Sequence, residues 1–493
     1  MRLLYLALAA LSLTACGPGS QTATDEAASN APALETAEAV ETVPTKPAWT
    51  KGAMVAAADP RAVEAGLEIL RQGGHAVDAA IAVHAVLGLV EPQSSGLGGG
   101  AFMLVYERES GDIIVFDGRE KAPSTIDKNL FQVSGETLGF VEAWQSGRSV
   151  GVPGQVALYK AAHDAYGQAA WPDLFARGIE LAETGFMVSP RLAEVLANPR
   201  LRGAIRLDDN PETAAYFYPE GKPLAEGQRR DNPEYAATLK AIAQEGPSAF
   251  YSGAIAEDIV QSAAEAPLGG TLSLEDLANY NVVQRPALCG QFRQYEICSA
   301  PPPSSGGVAQ NMIMGIYERL LPSLATDISM DEALIAFVEA QRLAYADRDH
   351  YVADADFVTV PAEDLISPLY LDSRAGQGGP VNAKPQPGDP GEVLGRGPMI
   401  NLWGRDTTQD APGTTHISII DQAGNAVSMT ATVEAAFGSS RWAAGFLLNN
   451  ELTDFAFIPS LNGLPVANAP AANKRPRSSM SPTLVFNESD QLF

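Results

Sequence analysis

The sequence has 493 residues, of which 46% are apolar and 19% charged, and this composition excludes collagen, a coiled coil and wholesale disorder. Acidic residues outnumber basic ones by 59 to 33, so the net charge of −26 opposes binding to nucleic acid or to an anionic membrane. The three cysteines and five histidines are scattered without the spacing of a metal site, so no metal is expected.

Residues 1–15 are predicted to be a signal peptide, because a basic residue is followed by an apolar run too short to span a bilayer. Residues 13–16, Leu-Thr-Ala-Cys, resemble the lipobox of bacterial lipoproteins, in which Cys16 is acylated and becomes the first mature residue. Ordinary cleavage that leaves Cys16 unmodified is the alternative. Residues 16–50 are acidic and poor in aromatic residues, which is typical of a flexible linker. The N-terminus therefore predicts an exported periplasmic or cell-surface lipoprotein whose only membrane contact is the lipid anchor.

From residue 51 onward the pattern becomes globular and mixes helices with strands. His84 falls in a helix that is apolar nearly all round, so it is expected to be a core histidine. Residues 96–101 formally match the dinucleotide fingerprint, but they precede a strand instead of opening a helix, and a tight backbone approach is expected instead. The elements predicted first are a strand over 54–58, a helix that begins at Pro60 and stops at Gly73, a helix over 76–90, strands over 102–106 and 112–116, and a mainly helical stretch over about 150–280.

Residues 287–299 alternate like a hairpin whose two-residue turn is Arg293 and Gln294. This register sets Cys289 opposite Cys298 in a non-hydrogen-bonded pair, where the Cα atoms are close enough for a disulfide. An exported protein can form such a bond. Two small buried thiols are the alternative.

Residues 375–413 are rich in Gly, Pro, Asp and Gln and show little periodicity, so they are predicted to form an exposed, mobile segment. Two strands, over 415–420 and 426–432, then follow with a turn between them. Propensity alone gives Thr414, at the junction, little functional significance.

Eight motifs together resemble those of the γ-glutamyltranspeptidase family of N-terminal-nucleophile hydrolases. The resemblance implies an α/β (α+β) fold of the αββα type, with two stacked sheets covered by helices, as one domain over residues 51–493. It also implies a precursor that cuts itself into a large subunit ending at Gly413 and a small subunit beginning at Thr414, which stay together as a heterodimer. The motifs run in family order over residues 73–80, 96–102, 117–123, 151–154, 301–307, 413–416, 447–450 and 473–483.

The resemblance implies that Thr414 is the catalytic nucleophile. An α-amino group titrates near 7.7, so the new N-terminus can accept the hydroxyl proton that a threonine must lose to react. Thr432 matches the family position whose hydroxyl holds the nucleophile's oxygen. An ordinary strand residue is the alternative for Thr432.

Six further residues match family positions that hold the α-carboxylate and the α-amino group of a γ-glutamyl substrate. In better known members the position of Glu434 is an asparagine and that of Glu451 is a glutamine or a glutamate, so both departures keep an acceptor for an ammonium. Solvated carboxylates and an ordinary surface arginine are the alternatives. The carboxylate would be held by Arg119, Ser478 and Ser479, and the amino group by Glu434, Glu451 and Asp454.

The resemblance therefore implies a γ-glutamyl acyltransferase and hydrolase that acts on glutathione and related γ-glutamyl amides, transfers the acyl group to water or to amino-acid and peptide amines, and needs no cofactor. A glutaryl or cephalosporin-type acylase and a non-catalytic surface lipoprotein that binds amino acids or peptides are the alternatives. Family members continue into further strands and a Pro-Gly-Gly segment that forms the oxyanion hole, whereas the sequence ends at Phe493. We expect the C-terminal strands to be missing because the natural protein is longer, the alternative being an inactive truncated relative.

Overall fold

Two β-sheets form the centre of the fold, and their strands coincide with alternating or wholly apolar stretches of sequence. A computed structural model describes residues 52–321, 328–378, 384–408 and 413–493, all within one compact unit. The predicted signal peptide, linker and Cys16 lipidation site lie outside the described residues. The strands are β1 (Met54–Ala56), β2 (Gly100–Tyr106), β3 (Ile113–Gly118), β4 (Gln132–Val133), β5 (Glu136–Thr137), β6 (Phe186–Met187), β7 (Arg229–Arg230), β8 (Val283–Pro286), β9 (Leu288–Phe292), β10 (Tyr295–Ser299), β11 (Thr414–Ile420), β12 (Ala426–Thr432), β13 (Trp442–Ala443), β14 (Phe446–Leu447), β15 (Ser460–Leu461), β16 (Leu464–Pro465) and β17 (Thr483–Phe486).

Several helices begin at a residue whose side chain accepts a hydrogen bond from an otherwise unpaired N-terminal amide. Asp59 caps the first helix by accepting from the Arg61 amide, and a proline follows the cap, where its missing N–H costs nothing. The helices are α1 (Pro60–Arg71), α2 (Ala76–Val90), α3 (Phe140–Trp144), α4 (Gln155–Tyr166), α5 (Ala176–Thr184), α6 (Pro190–Ala197), α7 (Pro199–Ile205), α8 (Pro211–Phe217), α9 (Pro233–Glu245), α10 (Ser248–Tyr251), α11 (Gly253–Ala264), α12 (Leu274–Ala278), α13 (Gly306–Leu320), α14 (Met330–Tyr351), α15 (Ala362–Leu365), α16 (Pro368–Ala375) and α17 (Pro390–Val393).

The larger sheet has six antiparallel strands in the order β1-β11-β12-β2-β3-β8. β2 and β12 are buried along their whole length, because both faces of the sheet are covered. The register places Thr432 directly between Thr414 on one neighbouring strand and Gly100 on the other.

The two faces of this sheet contact different layers. On one face, Met103 and Met429 pack against the almost wholly apolar helix α2 and against α4. On the other face, Phe102 and Leu104 pack against the smaller sheet, for example against Leu484. Because successive side chains of a strand point to opposite faces, the side chains of β2 contribute alternately to two hydrophobic cores.

The smaller sheet has the strand order β17-β10-β9; α13 covers its outer face, and α14 packs against α13. Leu288 of β9 lies in one cluster with Met312 of α13 and Leu343 of α14. The order of layers is thus helix, sheet, sheet, helix. The αββα fold class implied by the resemblance is confirmed.

The described part of the segment between α16 and β11 departs from its predicted exposure. Asp347 Oδ1 accepts from the Gly388 amide at 2.7 Å, its Oδ2 accepts from Arg374 Nε at 2.8 Å, and Asp406 is only 3% exposed. The prediction of an exposed segment is wrong for these parts of residues 384–408. Polar contacts with distant residues hold this segment, and such contacts leave no hydrophobic periodicity in the sequence.

Other predicted elements agree closely with the structure. The helix over 76–90 has the bounds of α2, and the predicted strand over 54–58 is present but shorter, as β1. Within the described ranges, no helix combines the length and the apolar character that crossing a membrane requires.

The hairpin of β9 and β10 has the predicted two-residue turn, since Phe292 pairs with Tyr295. Cys289 lies directly opposite Cys298, and the two form a disulfide. The Cys298 side chain is buried between the two sheets. The bond therefore ties the hairpin at the point where it enters the core.

We predict that reducing this disulfide lowers the free energy of unfolding by about 2–3 kcal/mol, because a short loop is released in the unfolded chain. Denaturant unfolding with and without reductant measures the change. A Cys289→Ser variant is the control, since reductant should not change its stability. A parent protein whose unfolding is insensitive to reductant would contradict the prediction.

Candidate active site

Thr414 is the first residue of β11, and its partner across the sheet is Thr432, the last residue of β12. Thr432 Oγ1 accepts from the Glu434 amide at 2.7 Å and donates to the Gly413 carbonyl oxygen at 3.0 Å. Thr432 Oγ1 has a single proton, and because it already accepts from the Glu434 amide, that proton is directed to the Gly413 carbonyl oxygen. The carbonyl of the peptide bond before Thr414 is therefore polarised by Thr432.

The glycine run of residues 96–100 allows the backbone to pass close to this junction. A Cβ on Gly99 would clash with the Thr432 carbonyl oxygen, and a Cβ on Gly98 would clash with that of Leu447. The tight backbone approach predicted for this run is confirmed. Only glycine leaves room for the carbonyl groups of the neighbouring strand and loop.

A cavity of about 200 Å³ opens beside the Gly413–Thr414 peptide bond. The structure brings together there every residue to which the resemblance assigns a catalytic or substrate-binding role. Met480 also lines the cavity, and the sequence analysis missed it. The lining consists of Arg119, Gly413, Thr414, Thr432, Glu434, Glu451, Asp454, Ser478, Ser479 and Met480.

Arg119 follows β3 and is 1% exposed. Its two terminal nitrogens donate to Glu451 and, at 2.5 Å, to Asp454 Oδ2. Backbone carbonyls of Pro476 and Arg477 accept from Nε at 3.1 Å and from Nη2 at 2.8 Å. The guanidinium is therefore held rigidly, and the two acids expected to bind an ammonium also neutralise the arginine.

Glu434 adds a third carboxyl group to the cavity. It is buried, and its Oε2 accepts from the side-chain amide of Asn450. Burial, reinforced by the negative charge of Asp454, raises the pKa of Glu434 well above its ordinary value. Its backbone has a φ of +75°, which is unusual for a residue other than glycine. This strain lies two residues from Thr432, where the chain turns out of β12 into the cavity wall.

Two consecutive asparagines hold the carboxyl groups in place, and the sequence analysis gave them no role beyond their motif. Asn449 Nδ2 donates to the carbonyls of Gly98 and Gly151, at 2.8 and 2.9 Å. Its Oδ1 accepts from the amides of Gly151 and Glu451, at 2.9 and 3.0 Å. All its hydrogen-bonding capacity is used, and one side chain joins two loops to Glu451. Asn450 Nδ2 donates to the carboxyl group of Glu434, so the motif fixes the backbone of Glu451 and the side chain of Glu434.

Glu120 lies behind Arg119 and was also missed, although it belongs to the motif over residues 117–123. It is fully buried, its Oε2 lies 3.8 Å from Arg119 Nη1, and neither oxygen has a hydrogen-bond partner among the described residues. Burial raises the pKa of Glu120 to about 8, partly offset by the positive charge of Arg119. Glu120 is therefore mostly protonated at neutral pH.

The comparisons with known proteins agree with this geometry. The γ-glutamyltranspeptidase family profile matches residues 62–493. The chain belongs to this family. It is 36% identical over 469 residues to the glutathione hydrolase proenzyme of Escherichia coli (strain K12), which covers 94% of this chain and 78% of that protein. It is 35% identical over 445 residues to the glutathione hydrolase proenzyme of Bacillus subtilis (strain 168), covering 89% and 73% of the two chains.

The solved structures similar to this chain include a member of the same family and an acylase. The γ-glutamyltranspeptidase of Helicobacter pylori has a TM-score of 0.61 at 32% identity, covering 71% of this chain and 96% of that one. A cephalosporin acylase from Bacillus halodurans has a TM-score of 0.76 at 25% identity, covering 92% and 79% of the two chains. The chain is therefore an enzyme of the γ-glutamyltranspeptidase family with a fold shared by acylases.

The buried Glu120 gives this family member a pH-dependent stability. An acid whose pKa is raised on folding keeps its proton in the folded state while the unfolded chain loses it, here between pH 4.5 and about 8. Stability is therefore lost as pH rises through that window. We predict that Glu120→Gln gains stability relative to the parent from pH 5 to pH 8, by on the order of a few kcal/mol.

Denaturant unfolding of both proteins across that pH range measures the difference. Glu109→Gln, at an exposed turn between β2 and β3, is the matched control for replacing a surface glutamate. A constant difference between Glu120→Gln and the parent would contradict the prediction.

Proposed function

We propose that the protein is a self-cleaving γ-glutamyl acyltransferase and hydrolase that acts on glutathione and related γ-glutamyl amides. The observation that carries the proposal is the cavity in which Thr414 lies beside one guanidinium and three carboxyl groups. A γ-glutamyl group ends in an α-carboxylate and an α-ammonium, so it needs partners of both signs. No cofactor is required for acyl transfer through a threonine ester.

Self-cleavage starts from the contacts around Gly413. Thr414 Oγ1 attacks the Gly413 carbonyl carbon, the peptide C–N bond breaks, and the hydroxyl proton passes to the released amine. The Thr432 hydroxyl, 3.0 Å from the carbonyl oxygen, stabilises the negative charge that develops there. Water then hydrolyses the ester, leaving a carboxylate on Gly413 and a free hydroxyl on Thr414. Gly413 suits the crowded site, because a Cβ there would clash with the Glu434 carbonyl.

Turnover uses the amino group that this cleavage releases. It accepts the Thr414 hydroxyl proton, Oγ1 attacks the γ-amide carbon, and the proton passes to the leaving amine. The acyl group is then carried as an ester until water or the amine of an amino acid or peptide attacks it. Before cleavage the same nitrogen is an amide and cannot act as a base, so the precursor is inactive in turnover.

Recognition of the substrate's charged end is assigned to the remaining lining residues. Arg119 is assigned to the α-carboxylate through the positive charge of its fixed guanidinium, assisted by the hydroxyls of Ser478 and Ser479. Glu451 and Asp454 already contact Arg119, so an ammonium placed beside them completes an alternating arrangement of charges. Glu434 supplies a further acceptor on that side.

Hydrolysis of a glutaryl or cephalosporin-type side chain is the second candidate, favoured by the fold similarity to the cephalosporin acylase. A glutaryl group has no α-ammonium. The negative charge of Glu451 and Asp454 that exceeds the single positive charge of Arg119 would then meet no cation from the substrate, and burying such charge is costly. The charge of the cavity therefore favours the γ-glutamyl substrate.

We also propose that the enzyme is exported and held on a membrane surface through a lipid on Cys16, with residues 16–50 as a tether. The proposal is supported by the apolar run, the lipobox-like sequence and the acidic linker composition. The two products of self-cleavage would remain associated, because β11 and β12 of the small subunit pair with β1 and β2 of the large one.

We predict that Thr414→Ala abolishes both self-cleavage and turnover, because it removes the attacking oxygen of both reactions. A denaturing gel and N-terminal sequencing of the small subunit measure the cleavage, and release of p-nitroaniline from γ-glutamyl-p-nitroanilide measures turnover. Thr415→Ala, at the next residue of β11, is the control and should still be cleaved before residue 414. Cleavage of Thr414→Ala at the same bond would assign the nucleophile elsewhere.

We predict that the mature enzyme hydrolyses γ-glutamyl-p-nitroanilide with a kcat/KM at least about 100-fold higher than that for glutaryl-p-nitroanilide. This ratio corresponds roughly to the free energy of one buried charged hydrogen bond. A preference for the glutaryl substrate would favour the acylase.

Arg119→Lys should raise KM for the γ-glutamyl substrate about tenfold or more, because an ammonium cannot reproduce the planar guanidinium. Self-cleavage of this variant should persist. Equal loss of self-cleavage and of substrate affinity in Arg119→Lys would make Arg119 a structural residue.

A further inference from the structure

A buried arginine behind the cavity contacts the serine pair. Arg348 lies in the last turn of α14 and is 2% exposed. Its Nη2 donates to Ser479 Oγ at 2.6 Å, its Nε donates to Ser305 Oγ at 3.1 Å, and its Nη1 donates to Asp349 Oδ1 at 3.1 Å. Arg348 is not among the residues that line the cavity.

The chemistry of a guanidinium determines how Ser479 is used. Arginine only donates hydrogen bonds, so Ser479 Oγ must accept at this contact. The single proton of the Ser479 hydroxyl is then directed to an acceptor other than Arg348. Ser479 lines the cavity, where the proposed function assigns it to the substrate's α-carboxylate.

The same arginine also supports Ser478. Ser305 Oγ accepts from Arg348 and donates to the Ser478 carbonyl at 2.6 Å, and the Ser305 amide donates to the same carbonyl at 2.7 Å. One guanidinium is thus connected to both serines, to the side chain of one and the backbone of the other. Its positive charge lies behind the hydroxyls, on the side where the substrate's α-carboxylate is placed.

We propose that Arg348 is a positioning residue of the α-carboxylate subsite, acting through Ser479 and Ser305 without touching the substrate. This inference rests on the proposed function. Loss of Arg348 removes the donor that fixes the Ser479 hydroxyl and removes a buried positive charge near the carboxylate. Replacing Arg348 should therefore weaken the binding of a ligand that has an α-carboxylate and spare the binding of one that lacks it.

Calorimetric titration with L-glutamate and with 4-aminobutanoate, its analogue without the α-carboxylate, tests this dependence on the self-cleaved enzyme. Arg348→Gln should weaken binding of L-glutamate about tenfold or more and change binding of 4-aminobutanoate less than twofold. Arg348→Lys should retain part of the glutamate affinity, because it keeps the charge but cannot reach both serines in the same geometry.

A double-mutant cycle tests whether Arg348 acts through Ser479. Arg348→Gln should weaken binding of L-glutamate clearly less in a Ser479→Ala background than in the parent enzyme. Arg342→Gln, also on α14 and bonded to Glu339, is the matched control and should leave both ligands unaffected. Fully additive losses in the cycle would overturn the proposed coupling.

The remaining outcomes separate this inference from the proposed function. Equal weakening of both ligands by Arg348→Gln, or no weakening of glutamate, overturns the positioning role alone. A parent enzyme that binds no L-glutamate overturns the proposed function, and the inference with it. If Arg348→Gln fails to fold in a thermal melt, Arg348→Lys carries the test, and equal losses for the two ligands in that variant overturn the inference.

Discussion

The antiparallel pairing of β11 with β12 is the constraint on which the site depends. It sets Thr414 opposite Thr432, and β12 is in turn fixed by β2 on its other side. Slipping this register by one residue would turn every side chain of β11 to the other face of the sheet. Burial of β12 on both faces makes such a slip costly, so the Gly413 carbonyl and the hydroxyl that polarises it are held by the core itself.

The cavity concentrates charge that an apolar interior would not tolerate unpaired. Arg119 is bordered by acids and by backbone carbonyls, which accept hydrogen bonds from four of its five N–H groups. The acids are placed in turn by Asn449 and Asn450, which use their amides as fixed donors and acceptors. Such a network gains little net stability, because the desolvation of ions offsets their attraction. Under the proposed function, its value lies in presenting fixed partners of both signs to a small zwitterionic group.

The sequence predicted the regular elements well where hydrophobic periodicity was strong. The helix at 76–90 and the hairpin with Cys289 opposite Cys298 follow from periodicity and turn chemistry, which act over a few residues. The described part of the segment over residues 375–413 was wrongly expected to be exposed throughout, because Asp347 anchors it through long-range polar contacts. The candidate site followed from motifs alone, and their spacing along the chain contains no information about distance in space.

The sequence by itself determined the amphipathic patterns, the glycines and the acidic composition, because these depend on residue type and local conformation. The family resemblance implied that residues more than 300 positions apart serve one substrate, but only the tertiary structure decided that Glu451 and Asp454 contact Arg119 directly. It also revealed the contacts of Arg348 with Ser479 and of Asn449 with Glu451. Such contacts arise when strands and loops distant in sequence are packed together, and the free energy of that packing depends on the whole core.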